Sequence, residues 1–254
     1  MIALITAAAL HCAAVPGAGP LLQPRRMLLI GEMHGSREIP PLVGALACLA
    51  RQKRVPVVVA LEIPVEEAAR LDAWMSSSAP LPELLRGEFW TRAYQDGRSS
   101  AAMAALIEEL RRLGLSVVPY DPHPPDGKVR DAQMADRLAA LRTRKPESLL
   151  IVLSGNLHNR VTVGVPWDAA YQPMGWHLAQ RKIALRSLEV TYGPGATWMC
   201  EGAGATSCGL RKLAGKDQGA APVVRMGHEL PHVDGTLYAG ALSASPPAIS
   251  KLSW

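Results

Sequence analysis

Residues 26–32, 55–62, 115–121 and 148–156 ("RMLLIGE", "VPVVVALE", "LSVVPYD", "SLLIVLSGN") are nearly unbroken apolar runs. That is the pattern of strands buried on both faces. A fifth run, "ALRSLEV" at 184–190, also reads as a strand. Between the runs the period changes to that of helices. In 39–53, Ile39, Leu42, Val43, Leu46 and Leu49 share one face. "VEEAARLDAW" follows Pro64 and carries Glu66 and Glu67 in its first turn, as a helix start should. "SSAAMAALIEELRRLG" offers a serine cap and Gly114 as its stop. "VRDAQMADRLAALR" turns Met134, Leu138 and Leu141 inward. Alternation of strand and helix with short links predicts an α/β fold: a largely parallel (mixed) central sheet with helices on both faces. The last third is rich in Gly, Pro and Ser, and predicts loops and short strands such as "TLYAGALS" (236–243) that finish the sheet or cover one end.

Polar residues collect where the apolar runs stop. The first strand ends in Glu32 and His34, and the second in Glu62. The third ends in Tyr120 and Asp121, with His123 just beyond. The fourth ends in Asn156 and His158. Parallel strands would put these groups on one rim, at the carboxyl ends where α/β sheets bind ligands. The spacing also repeats: "GEMH" (31–34) and "GNLH" (155–158) are both Gly-x-x-His after an apolar strand. The glycine is expected to permit a sharp turn out of the strand. Two imidazoles and two carboxylates on one rim suit either a divalent metal with its water, held by Glu32, His34 and His158, or a metal-free acid/base site. Arg130, from its position alone, reads as a surface residue paired with Asp131 or Asp136. Asn156, Asp121 and Tyr120 are the candidate ligand-binding residues. No Gly-x-Ser-x-Gly elbow and no Gly-x-Gly-x-x-Gly fingerprint is present, so neither a serine nucleophile nor a dinucleotide is expected. His228 and His232 flank Pro231, which prevents a regular helical metal pair.

The paired "GEMH" and "GNLH", with Glu62 in "ALEIP" and Arg130 in "VRDAQMADRL", resemble the superfamily of erythromycin esterases, haem-binding ChaN-like lipoproteins, and Tiki, TraB and GumN proteins. The resemblance covers about residues 26–160. It implies an α/β fold with the paired motifs lining one cleft. It also implies functional roles for Glu32, His34, Glu62, Arg130 and His158. The esterases it resembles hydrolyse esters with such groups, the Tiki members are similar to metal-dependent proteases, and the ChaN-like members bind haem, often as dimers. The expected partner is therefore a small-molecule or peptide substrate, or haem, with a homodimer as a further expectation. The chain lacks the esterases' helical macrolide-binding insertions, so an antibiotic is not the expected substrate. In the hydrolase reading His34 is the general base, Glu32 and Glu62 orient it or bind metal, His158 is a second base or ligand, and Arg130 steadies an oxyanion.

Composition narrows this further. At 254 residues, 48% hydrophobic and 19% charged, the chain is an ordinary globular one. Its net charge of +5 is spread over helix ends (Arg51, Arg111, Arg112, Arg142, Arg144), which suits helix C-termini better than a nucleic-acid footprint. One Phe leaves little for base stacking, so no nucleic acid is expected. Residues 1–18, "MIALITAAALHCAAVPGA", read as a secretory leader preceding one domain at 19–254. The leader is too short and too small-residue-rich for a membrane span, and His11 before Cys12 argues against a lipid anchor. The expected location is periplasmic or secreted. There Cys200 and Cys208 can form a disulfide. Cys48, on an apolar helical face, is expected to be a buried free thiol.

Overall fold

The computed structural model describes residues 11–122, 129–202, 204–227 and 229–249. Its strands and α-helices begin with β1 (Met27–Glu32), α1 (Ile39–Gln52), β2 (Val57–Pro64), α2 (Ala68–Met75), α3 (Leu81–Leu84) and α4 (Glu88–Thr91). Next come α5 (Ala101–Arg112), β3 (Ser116–Asp121), α6 (Arg130–Arg144), β4 (Leu149–Gly155), α7 (Met174–Gln180) and β5 (Leu185–Gly193). The chain closes with β6 (Gly195–Cys200), β7 (Cys208–Leu213), β8 (Val223–Met226) and β9 (Gly235–Ala241).

The main sheet has seven strands in the order β3-β2-β4-β1-β5-β9-β8. All neighbours pair in parallel except the edge strand β8, which runs antiparallel to β9. The apolar runs are continuous because both faces are covered. Leu28 and Ile30 of β1 join a core with Ile39, Val43 and Leu46 of α1 and Leu106, Ile107 and Leu110 of α5. Met27 and Leu29 join a second core with Met134, Leu138 and Leu141 of α6 and Met174 and Leu178 of α7. This is the α/β architecture that the periodicity predicts, with helices on both faces. Ser100 caps α5 by accepting from the Met103 N–H. The basic residues Arg51, Arg111, Arg112, Arg142 and Arg144 lie in the last turns of their helices.

The Gly-rich last third is more ordered than its composition suggests. β6 and β7 form an antiparallel hairpin, closed by a Cys200–Cys208 disulfide. Residues 243–249 run back over the domain, bridging Ser36 to Ala244 and Ser100 to Pro247. At the other end the expectation for Cys48 is corrected: it is bonded to Cys12, and the described cysteines include no free thiol. Val15 and Ala18 are buried in the core, and Pro16 accepts the Val224 N–H. Residues 12–18 are thus built into the fold, and cleavage after residue 18 would remove one half of a disulfide. Two disulfides fit an oxidising compartment. No helix among the described residues is long and apolar enough to cross a membrane.

Candidate functional site

β1, β2, β3 and β4 are neighbours or near neighbours, so their carboxyl ends form one rim. Glu32 stands opposite Gly155 in the β1–β4 register. Between Leu61 and Pro64 the register of β2 against β3 shifts, so Glu62 sits at an irregularity that re-aims its side chain. The two glycines of the paired motifs lie inside β1 and β4, and their reason is close approach of side chains, not the expected sharp turn. A Cβ on Gly31 would stand 2.2 Å from Asn159 Oδ1, and one on Gly155 would stand 3.1 Å from His34 Nε2. The glycine that does turn the chain is Gly35, at φ +75°, with the Trp198 carbonyl packed against it.

Glu62 is the hub. It is buried, and its Oε1 accepts from Arg130 Nη2 at 2.7 Å and lies 3.4 Å from Arg98 Nη1. Its Oε2 accepts the Gly155 N–H at 2.8 Å and lies 3.6 Å from His34 Nε2. His158 Nε2 is 3.9 Å from Oε1. Burial alone would raise the Glu62 pKa. Its surroundings, His34 foremost, then the His158 ring and the Arg98 and Arg130 guanidiniums, hold it well below the usual carboxylate range. His34 Nδ1 lies 2.9 Å from Glu32 Oε1, so both ring nitrogens face carboxylates. Burial would lower the His34 pKa, but Glu62 and then Glu32 outweigh it and raise it. Glu32 Oε2 is buried without a hydrogen-bond partner.

Beneath the rim, Asp121 is fully buried. It accepts from Arg130 Nε at 2.9 Å, Arg130 Nη2 at 2.8 Å and Arg98 Nη1 at 2.6 Å. Asp121 therefore anchors the arginines instead of facing a ligand. Tyr120 is likewise in the core, its hydroxyl donating to the Leu153 carbonyl at 2.9 Å. Neither borders the cleft, which corrects the ligand-binding expectation for both. Asn156 does border it. Arg130, which position alone made a surface residue, belongs to the site. Asp136 pairs with Arg181 instead.

The cleft holds about 240 Å³. Glu32, His34, Gly155, Asn156 and His158 make its floor, and Tyr94, Asp96, Met199 and Cys200 its wall. Three residues that the sequence reading did not select complete the network. Arg98, from "QDGRSS", looks like part of an exposed turn. Asp96 grips it through Oδ2 at 2.7 Å, and its own pKa is held down to about 2: burial would raise it, but Arg98 and then Arg92 and His34 prevail. Asp131 looks like a helix-start acid, the one signal it carries, yet it lies 2.8 Å from His158 Nδ1. His232 is engaged elsewhere, 2.6 Å from Glu189. His177 lies on α7, ring against ring with Trp176. His123 and His228 lie outside the described residues.

The donor set does not suit a metal ion. Among the described residues no group of three His, Cys, Asp or Glu side chains is placed to hold one. Arg130 Nη1 sits 3.2 Å from His158 Nε2, so a guanidinium occupies the direction that a cation would need.

No known sequence family and no curated protein matches the chain. Solved structures do share its fold. A succinoglycan biosynthesis protein superposes at TM-score 0.65 with 10% identity, covering 90% of this chain and 92% of its own. A variant of the erythromycin esterase EreC in its open conformation superposes at 0.54 with 16% identity, over 78% of each chain. A Bacillus cereus protein superposes at 0.57 with 9% identity, over 91% of this chain and 92% of its own. The chain thus has the α/β fold of the erythromycin esterase and the succinoglycan biosynthesis protein, the fold that the paired motifs imply. At these identities the likeness is one of fold.

Proposed function

We propose that the protein is an exported hydrolase of ester or amide bonds that works by metal-free acid/base catalysis in the Glu32–His34–Glu62–Arg130–His158 cleft. One observation carries this: two imidazoles converge on a single buried, ionised carboxylate, Glu62, which two guanidiniums hold in place. Such pairing gives two proton carriers in different electrostatic settings, which acid/base hydrolysis needs. His34, between two carboxylates, holds its proton more tightly than a free imidazole and suits the acid role. His158, whose Nε2 has the Arg130 guanidinium as its nearest partner at 3.2 Å, suits the base. Water loses a proton to His158 Nε2 as its oxygen bonds to the carbonyl carbon. The tetrahedral species then collapses, the C–O or C–N bond breaks, and the leaving group takes the proton from His34. This reverses the expectation that His34 is the base. The fold shared with the erythromycin esterase supports the reaction class. The cleft volume, below the range usual for large cofactors and drug-sized ligands, gives haem no specific support.

The test is turnover of a panel of simple esters and amides by wild type and His34→Ala. Loss of one proton-transfer group is expected to lower kcat roughly 10²- to 10⁴-fold in a variant that still folds and unfolds cooperatively. Equal rates in the two proteins, or no turnover across the panel, would overturn the proposal. A Soret band on haemin titration that disappears in His158→Ala would favour the ligand-binding reading instead.

A further inference from the structure

The two Gly-x-x-His motifs differ at their second position: Glu32 in "GEMH", Asn156 in "GNLH". Glu32 holds His34 through Nδ1 at 2.9 Å. Asn156 is no carboxylate and brings no negative charge to His158. The structure supplies a carboxylate from elsewhere. Asp131, in the first turn of α6, places Oδ1 and Oδ2 at 2.8 and 2.9 Å from His158 Nδ1. Asp131 is 2% exposed and is itself fixed: Tyr171 donates its hydroxyl to Oδ1 at 2.9 Å, and the Met174 N–H donates to Oδ2 at 2.8 Å.

The opposite ring nitrogen settles where the proton lies. Arg130 Nη1 is 3.2 Å from His158 Nε2, and a guanidinium has donors only. Nε2 must therefore be the unprotonated nitrogen, and Nδ1 carries the hydrogen that points at Asp131. We infer that Asp131 is a positioning residue that fixes His158 as the Nδ1–H tautomer, doing from α6 what Glu32 does for His34 from within its own motif. The Nε2 lone pair is then held toward the cleft, ready to accept a proton when Arg130 yields its place to water. The catalytic meaning of this inference rests on the hydrolase reading. The tautomer itself does not.

The test is ¹⁵N NMR of histidine-labelled protein, with the His158 signals assigned by their loss in His158→Gln. The wild type is expected to show a protonated Nδ1 and an unprotonated Nε2. In Asp131→Leu no acceptor is left for the Nδ1–H, so the Nε2–H tautomer is expected to gain population at the expense of the contact with Arg130. Asp131→Glu, which keeps a carboxylate, is expected to restore the wild-type pattern at least in part. A wild-type spectrum with the proton on Nε2 overturns the inference without any variant. So does an Asp131→Leu spectrum identical to wild type. Where a substrate is found, Asp131→Asn is expected to lower kcat roughly 10²-fold and shift the acid limb of the pH–rate profile to lower pH, because an anion beside the imidazole is gone. A merely structural loss would leave that limb in place. If the tautomer is as expected and no ester or amide is turned over, the hydrolase reading fails and the positioning role stands.

Discussion

The floor and the wall of the cleft are held by different forces. The floor is a lattice of buried charge. Glu62 and Asp121 lie between Arg98 and Arg130, and both histidines rest against Glu62. Buried ions lose hydration, and the lattice is tolerable only because each charge has a partner. The wall is held by covalent and backbone bonds. The β6–β7 hairpin is closed by Cys200–Cys208. The Trp198 N–H donates to the Gly35 carbonyl at 3.0 Å, and its indole N–H donates to the Gln95 carbonyl at 2.9 Å. A floor of this kind gives fixed electrostatics at a cost in stability. A wall of this kind fixes the shape of the opening with little charge. The loop 92–100 joins the two, because Asp96 borders the cleft while Arg98 reaches under the floor.

The largest effect is expected where the floor loses a cation. Arg98 is 7% exposed and holds both Asp121 and Asp96. Arg98→Ala leaves those carboxylates short of a partner in a buried site, and is expected to cost about 3 kcal/mol in urea denaturation. Arg98→Lys should recover part of it, since a point charge cannot reproduce the fork. A cost below about 1 kcal/mol for Arg98→Ala would mean that Arg130 alone carries the floor.

The wall should respond less. Cys200 and Cys208 are eight residues apart, and the chain-entropy relation gives roughly 2–3 kcal/mol for so short a loop. The double variant Cys200→Ser/Cys208→Ser is expected to lose about that much in global stability and to leave the ionisation of the floor unchanged. Because Cys200 borders the cleft, KM should move more than kcat. A kcat loss as large as that of His34→Ala would show that the division between floor and wall is wrong.

How much of this was legible in the sequence follows the same division. The floor stands on strand ends, and the apolar runs announce those ends directly. Glu32, His34, Glu62 and His158 fall where runs 26–32, 55–62 and 148–156 stop, and a parallel sheet leaves them nowhere else to go. Tyr120 and Asp121 end a run too, but the pattern cannot say that a strand's last residues turn inward, and these two do. Arg130 needed the family resemblance, since charge at a helix start has many uses. Asp131 was seen only as a possible partner for it. The wall, and the loop that joins it to the floor, were nearly invisible. Arg98 and Asp96 sit in a polar turn with no periodicity. The hairpin was legible only through its two cysteines. Cys12 was read as leader, so its partner Cys48 was read as free. Contacts between residues 36 and 163 positions apart leave no trace in local pattern.

The smallest effect is also the one that divides floor from wall by pH. Asp96, in the wall, has a folded pKa of about 2 against an ordinary 3.8. A lowered carboxylate stabilises the fold above its unfolded pKa and loses that contribution as pH falls through the folded value. Here the window runs from about pH 4 down to about pH 2, and its size is roughly 2 kcal/mol. Asp96→Asn should therefore be less stable than wild type at neutral pH, and the gap should close as the pH approaches 2. Glu62, Asp121 and Asp131 are also lowered, so the floor contributes to the same acid limb. What separates the floor is the other side of neutrality. The His34 pKa is raised, so its contribution is complete below about pH 6.5 and is lost as pH rises through the folded value. His34→Gln should flatten the alkaline fall in stability and shrink the Asp96 difference at acid pH only slightly, because Arg98 and Arg92 do more than His34 to hold that carboxylate down. If His34→Gln altered both limbs by similar amounts, floor and wall would be a single electrostatic unit, with Asp96 and His34 strongly coupled across the cleft.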